Sequence, residues 1–118
     1  MSLFRRGPGR ISAAQARSRT ADGTAVLLDV RETSEWDAGH APGAVHLPLS
    51  ALVGGAPLPP PADRPVVVIC RSGNRSRRAA RVLADRGVSV VDVTGGMTAW
   101  AAAGFAVRDR RGTAGTVA

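Results

Sequence analysis

The one residue in this chain able to act as a strong nucleophile and covalent carrier is Cys70, the sole cysteine of 118 residues. It stands at the end of "VVVI" and opens the stretch "CRSGNRSRRAARVLADRG". Arg71, Ser72, Gly73, Asn74, Arg75 and Ser76 follow it, a short polar run leading into a helical pattern. Gly73 and Asn74 tolerate positive φ, so the run can close tightly and turn successive backbone N–H groups inward as an anion nest. The helix N-terminus adds partial positive charge. A thiol held there is expected to ionise readily and act as a nucleophile. Arg75, Arg77 and Arg78 crowd the start of the helix, where cations oppose its dipole, and such a broken local rule marks a place where an anion would restore the balance. Arg71 and Arg75, inside the loop, are the candidates to attract it; Arg77 and Arg78 read as surface charge. Taken alone, a buried cysteine is as often inert core filling.

A second group of candidates lies in "LDVRETSEWDAGHAPGAVHLP". Asp29 and Arg31 read as partners that hold loops together by hydrogen bonds and ion pairing. His40 has the chemistry of a general base, although a preformed thiolate needs none. Glu35 is expected to pair with an arginine, His46 carries no stronger claim, and Trp36 and Trp100 read as packing.

These residues need a scaffold. A chain of 118 residues supports one domain with one core. With only two Phe, two Trp and no Tyr, that core must come from Val, Leu, Ile and Ala. The formal net charge is +7 and every basic residue is Arg. A basic balance invites nucleic acid, but no aromatic stacking platform accompanies it, so the charge is read as a solvated surface plus an anion-attracting site. No apolar run approaches membrane-spanning length and none of signal-peptide length follows "MSLFRRGPGR". A lone cysteine allows no internal disulfide. The expectation is a cytoplasmic protein that binds neither membrane nor nucleic acid.

The pattern alternates between strand and helix. Ser12 is a fit N-cap for a helix over "AAQARSR", and "AVLLDV" reads as a buried strand. Thr33 or Ser34 is expected to cap a brief helix stopped by Gly39, followed by a strand near 44–46 and a short helix after Pro48. "VVVI" is the clearest strand, and 76–86 the clearest helix, with Ala79, Ala80, Leu83 and Gly87 on one face. "VSVVDV" is another strand. "TGGMTAWAAAG" is a turn and a helix with Met97, Trp100 and Ala101 on one side. Residues 1–10 are expected to form a loose arm, 11–107 the domain and 108–118 a frayed tail. This alternation implies an α/β domain, a mainly parallel central sheet flanked by helices in three layers. Ligands in such folds sit beyond the carboxyl ends of the strands, which is where Asp29, Arg31, Cys70 and Thr94 to Gly96 all fall.

At this point the chain resembles the single-domain rhodaneses, a sulfurtransferase family. "CRSGNRS" is similar to the family's active-site loop. Asp-Val-Arg, the aromatic four residues before His40 and His-x-Pro-Gly-Ala form a second match, and "VVDVTGGMTAWAAAG" a third. Together they span roughly Ile11 to Val107. Ala41 stands where the family usually has a larger aliphatic residue, and Trp36 where Phe or Tyr is commoner.

The resemblance implies a rhodanese-like fold and a ping-pong mechanism without metal or organic cofactor. Cys70 thiolate attacks the outer sulfur of a small anionic donor such as thiosulfate. Sulfite leaves, and a thiol, a protein acceptor or cyanide takes the sulfur from the Cys70 persulfide. It assigns the loop N–H groups of Arg71 to Ser76 to the anionic sulfur, Arg71 and Arg75 to the donor, and a structural role to His40 at the Pro-Gly turn. Two alternatives remain. One is a non-catalytic sulfur-carrier or regulatory module. The other is a cysteine-dependent phosphatase; this reading is weakened because four residues, not five, separate Cys70 from Arg75 and because Ile69 stands where a phosphatase signature has His.

Overall fold

A computed structural model describes residues 7–118. Its elements run in the order β1 (Arg10–Ile11), α1 (Ala13–Thr20), β2 (Val26–Asp29), α2 (Thr33–Ala38), β3 (Val45–His46), α3 (Leu49–Val53), β4 (Val66–Ile69), α4 (Arg75–Asp85), β5 (Val90–Val93) and α5 (Gly96–Ala102). The strands form one five-stranded sheet in the order β1-β5-β4-β2-β3, with every pairing parallel. Parallel neighbours require crossovers, and the intervening helices supply them.

The two-residue strand period divides the core into two layers. On one face Leu27, Val67, Ile69 and Val93 meet Ala16, Met97 and Trp100. On the other Leu28, Val30, Val66, Val68 and Cys70 meet Leu52, Ala79 and Leu83. Both faces are covered, which is why β2 and β4 are unbroken apolar runs rather than alternating ones. The same period places Cys70 on the face covered by α3 and α4.

Local signals set most boundaries. The Ser12 hydroxyl accepts the Gln15 N–H at 3.1 Å, and the Gln15 side chain accepts the Ser12 N–H at 2.9 Å, closing a reciprocal cap. The α2 cap falls on Glu32, one residue before the expected Thr33 or Ser34; the Glu35 carboxylate accepts the Glu32 N–H at 3.0 Å. Helix α4 starts at Arg75, one residue earlier than expected. On α5, Met97 and Trp100 are buried as expected, whereas Ala101 is exposed and Ala99 packs on the core in its place.

Both ends differ from expectation. Of the expected arm, residues 1–6 lie outside the described residues, but Arg10 is not loose: with Ile11 it forms the edge strand β1 against Asp92 and Val93. The segment 108–118, expected to fray, is bonded to the domain along part of its length. His40 and Arg108 exchange both backbone hydrogen bonds, at 2.8 and 2.9 Å, and the Thr116 N–H donates to Ala38 at 3.0 Å. Val117 packs on the core. A Cβ at Gly39 would overlap the Thr116 backbone, so the tail lies directly against the chain there. No helix among the described residues is long and apolar enough to cross a membrane.

Candidate active site

The carboxyl ends of the three central strands meet at one edge of the sheet. The Val30 N–H, after β2, donates to Ile69 at 3.0 Å. From the start of α5, Met97 and Thr98 donate to the carbonyls of Cys70 and Arg71, at 2.8 and 3.0 Å. Gly96 makes this approach possible: its φ is +53°, and a Cβ would strike the carbonyl of Cys70 and the backbone of Arg71. The expected gathering of the Asp29–Arg31 corner, the Cys70 loop and the Gly-Gly turn is therefore observed.

Cys70 sits at the foot of this loop. Its Sγ accepts the Gly73 N–H at 3.1 Å and lies 3.4 Å from the Ser76 hydroxyl. Gly73 holds φ at +105°, whereas Asn74 stays right-handed at −90°, so the turn uses only one of the two expected positive-φ positions. Gly73 supplies the one loop amide on Sγ itself; the N–H groups of the other loop residues make no hydrogen bond to that atom. Arg71, Ser72 and Asn74 are exposed, while Ser76 is buried. The cysteine itself is only 1 % exposed, and its body packs among the aliphatic side chains of the α3–α4 face.

Arg75 does not point free into solvent. Its guanidinium meets the Glu35 carboxylate in a two-point contact, at 2.6 and 2.8 Å, which joins the start of α4 to α2. These bonds are the main cause holding the Glu35 carboxyl down at about 2, against an ordinary 4.5; burial opposes them. They also raise the Arg75 pKa, against burial, with weaker electrostatic support from Glu35, Cys70 and Asp29. The arginine expected to pair with Glu35 is thus the one expected to orient a donor.

Asp29 and Arg31 form a fully buried ion pair, with Arg31 Nη2 2.8 Å from Asp29 Oδ2. Arg31 Nη2 also donates to the Gly39 carbonyl at 2.7 Å, which anchors the chain ahead of the Pro-Gly turn. Arg31 Nη1 is buried without a partner. His40 is occupied by structure: Nδ1 is 2.7 Å from the Trp36 carbonyl, and its ring lies flat on Trp36 at 3.6 Å between centroids. On the same indole stacks His46, whose Nε2 is 2.7 Å from the Arg31 carbonyl. Neither imidazole bonds to Cys70. No cluster of three His, Cys, Asp or Glu side chains able to hold a metal occurs among the described residues.

Sequence reasoning missed Asp92 and Arg10. Asp92 on β5 is 1 % exposed, accepts the Ser76 hydroxyl at 2.8 Å and is gripped by Arg10. The sequence does carry a signal: one carboxylate inside the apolar run "VSVVDV" must find a partner if that strand is buried. It does not say which partner.

The sequence model of the rhodanese-like domain matches residues 12–103. A rhodanese-related protein of Thermoplasma volcanium is 31% identical over 84% of this chain and 96% of its own, with a TM-score of 0.72. A Rhodopseudomonas palustris protein of unknown function, described as a possible tyrosine phosphatase, is 27% identical over 86% of this chain and 85% of its own, with a TM-score of 0.73. The thiosulfate sulfurtransferase of Pseudomonas aeruginosa shares the fold at 23% identity and a TM-score of 0.69, over 94% of this chain and 22% of that one. With the parallel sheet, the Cys70 loop and the family match in agreement, the chain belongs to the rhodanese-like domain family.

Proposed function

We propose that this protein is a sulfurtransferase that carries sulfane sulfur on Cys70, from a small anionic donor such as thiosulfate to a thiol or protein acceptor. The observation that carries this reading is the seat of the sulfur: Cys70 Sγ lies at the end of the central strand, hydrogen-bonded by the Gly73 amide beneath a four-residue loop. The thiolate attacks the outer sulfur of the donor. The sulfur–sulfur bond of thiosulfate breaks, its electron pair leaves with sulfite, and a Cys70 persulfide remains. An acceptor thiolate then takes the outer sulfur and returns Cys70 as thiolate. The chain has no second cysteine, so the acceptor comes from outside. Amides of Arg71 to Ser76 serve the anionic outer sulfur. The exposed Arg71 draws in the donor, and Arg75 contributes the part of its charge that Glu35 leaves uncompensated. Asp29, Arg31 and His40 hold the surrounding loops. Neither metal nor organic cofactor takes part.

A second reading is a sulfur carrier or binding module without turnover, and the near-complete burial of Cys70 speaks for the binding module. Intact mass after incubation with thiosulfate, mercaptopyruvate or a persulfide-loaded desulfurase tests both. Addition of one sulfur atom that is absent in Cys70→Ala, followed by its release to cyanide or a thiol with turnover, is the expected result. Addition without turnover supports the carrier, and no addition from any donor overturns sulfur chemistry altogether. Turnover of p-nitrophenyl phosphate in the same preparation would favour a phosphatase.

A further inference from the structure

One buried group is left unused by this mechanism, the Asp92 carboxylate. A charge inside a parallel sheet is costly unless it is paired and hydrogen-bonded. Asp92 takes three bonds. Arg10 donates through Nε to Oδ1 at 3.0 Å and through Nη2 to Oδ2 at 3.1 Å, and the Ser76 hydroxyl donates to Oδ2 at 2.8 Å. The Ser76 oxygen is in turn 3.4 Å from Cys70 Sγ. Arg10 Nη2 also donates to the Gly73 carbonyl at 2.8 Å, and Gly73 is the residue whose N–H meets the sulfur. Two short paths therefore join the Asp92–Arg10 pair to the reactive atom, one through a hydroxyl and one through the loop. Arg10 lies outside the family match, which begins at residue 12.

We propose that Asp92 and Arg10 are positioning residues that set how readily Cys70 gives up its proton, with the Ser76 hydroxyl as the moving part. This rests on the reading of Cys70 as the reacting thiol. A serine hydroxyl has one proton and cannot serve two anions at once. With the thiol neutral, the Cys70 S–H donates to Ser76 Oγ and Ser76 donates to Asp92. When a water or buffer base removes the Cys70 proton, only the S–H bond breaks and its electron pair stays on sulfur. The Ser76 O–H then rotates from Asp92 Oδ2 to the thiolate, and Asp92 keeps both bonds from Arg10. Without Arg10, the carboxylate retains the Ser76 proton and sets an uncompensated negative charge against the new thiolate.

The other charged groups on the elements that meet at this edge of the sheet are Arg71 on the loop, Arg75 with Glu35 of α2, and Asp29 at the end of β2 with Arg31 just beyond it. Substitutions at positions 10 and 92 leave all of these in place. The test is the pH profile of Cys70 alkylation by iodoacetamide in the full chain, with no sulfur donor present. Arg10→Gln should move the profile up by about one pH unit, a tenfold slower reaction on its rising limb. Arg10→Lys should restore most of that loss. Asp92→Asn should move the profile down, because the amide donates to Ser76 Oγ and frees its proton for the sulfur. Shifts of the same sign in Arg10→Gln and Asp92→Asn, or no shift in either, overturn the proposal. Arg10 is partly exposed, so its exchange leaves a folded protein to measure even if Asp92→Asn does not fold. In that event Arg10→Gln is compared with and without Ser76→Ala: loss of the hydroxyl should at least halve the shift, and an undiminished shift overturns the proposal. Alkylation needs no sulfur donor, so failure of sulfur uptake sinks the function above without deciding this point, and the reverse holds.

Discussion

Glu35→Gln separates the charge of the α2–α4 clamp from its shape. The side chains of Glu35 and Arg75 are 18% and 34% exposed, and meet at two points. Glu35 titrates at about 2 rather than 4.5, because Arg75 binds its charged form. A carboxyl depressed in the folded state stabilises the fold fully above the unfolded value and loses that contribution as pH falls through the folded value. The window runs from about 4.5 down to about 2. That interval corresponds to at most about 3 kcal/mol. Water reaches both partners and screens them, which leaves about 1–2 kcal/mol. Urea denaturation at neutral pH should therefore find the variant less stable by that amount, or about 4–8 °C lower in Tm. At a pH near the folded value most of the difference should vanish, because the wild-type carboxyl is by then losing its charge. Asp22 and Asp109, also depressed by hydrogen bonds from Thr24 and Thr113, are common to both proteins and cancel. The released Arg75 should also lower the KM for an anionic donor a few-fold, if sulfur transfer is the function. An equal stability gap at both pH values would falsify the electrostatic account of the clamp and leave packing as its basis.

Three further outcomes follow from the packing around the site. Gly96→Ala combines a positive φ with overlap on the Cys70 and Arg71 backbone, so it should cost more than about 2 kcal/mol in urea denaturation; a loss under half of that refutes the close approach. Asp29→Asn leaves the fully buried Arg31 cation uncompensated, and should destabilise the protein by about 3–5 kcal/mol; a loss below about 1 kcal/mol would show that the Gly39 carbonyl suffices. Deleting residues 108–118 removes the His40–Arg108 bridge and the Val117 packing. It should cost about 1–2 kcal/mol and open the His40 amide to hydrogen exchange, and a protected His40 amide in the shortened chain contradicts the docked tail.

How much of this was legible in the amino-acid order can be read from particular residues. The run "VVVI" into Cys70, the Gly73 turn and the apolar face of Ala79, Ala80 and Leu83 are local patterns with a fixed period. They specified strand, loop and helix, and with the strand-helix alternation they specified a parallel sheet whose carboxyl ends collect Asp29, Cys70 and Gly96. Those are consequences of geometry repeated every two or 3.6 residues, and they need no knowledge of distant neighbours. Pairing of charges is another matter. Arg75 has 15 other arginines as rivals for Glu35, and only the crossing of α2 over the α4 terminus, 40 residues apart in sequence, selects it. Asp92 announced a need for a partner, but Arg10, 82 residues away, reaches it only because β1 adds to the sheet edge beside β5. The tail read as loose because it is a chain terminus, and position in the chain does not reveal that Gly39 leaves space for Thr116 to lie against it. Local pattern settled the central strands and helices; the edge strand, the docked tail and the pairing of charges around the Cys70 loop were decided by the tertiary structure alone, because a long-range contact depends on the path of the whole chain between its two ends.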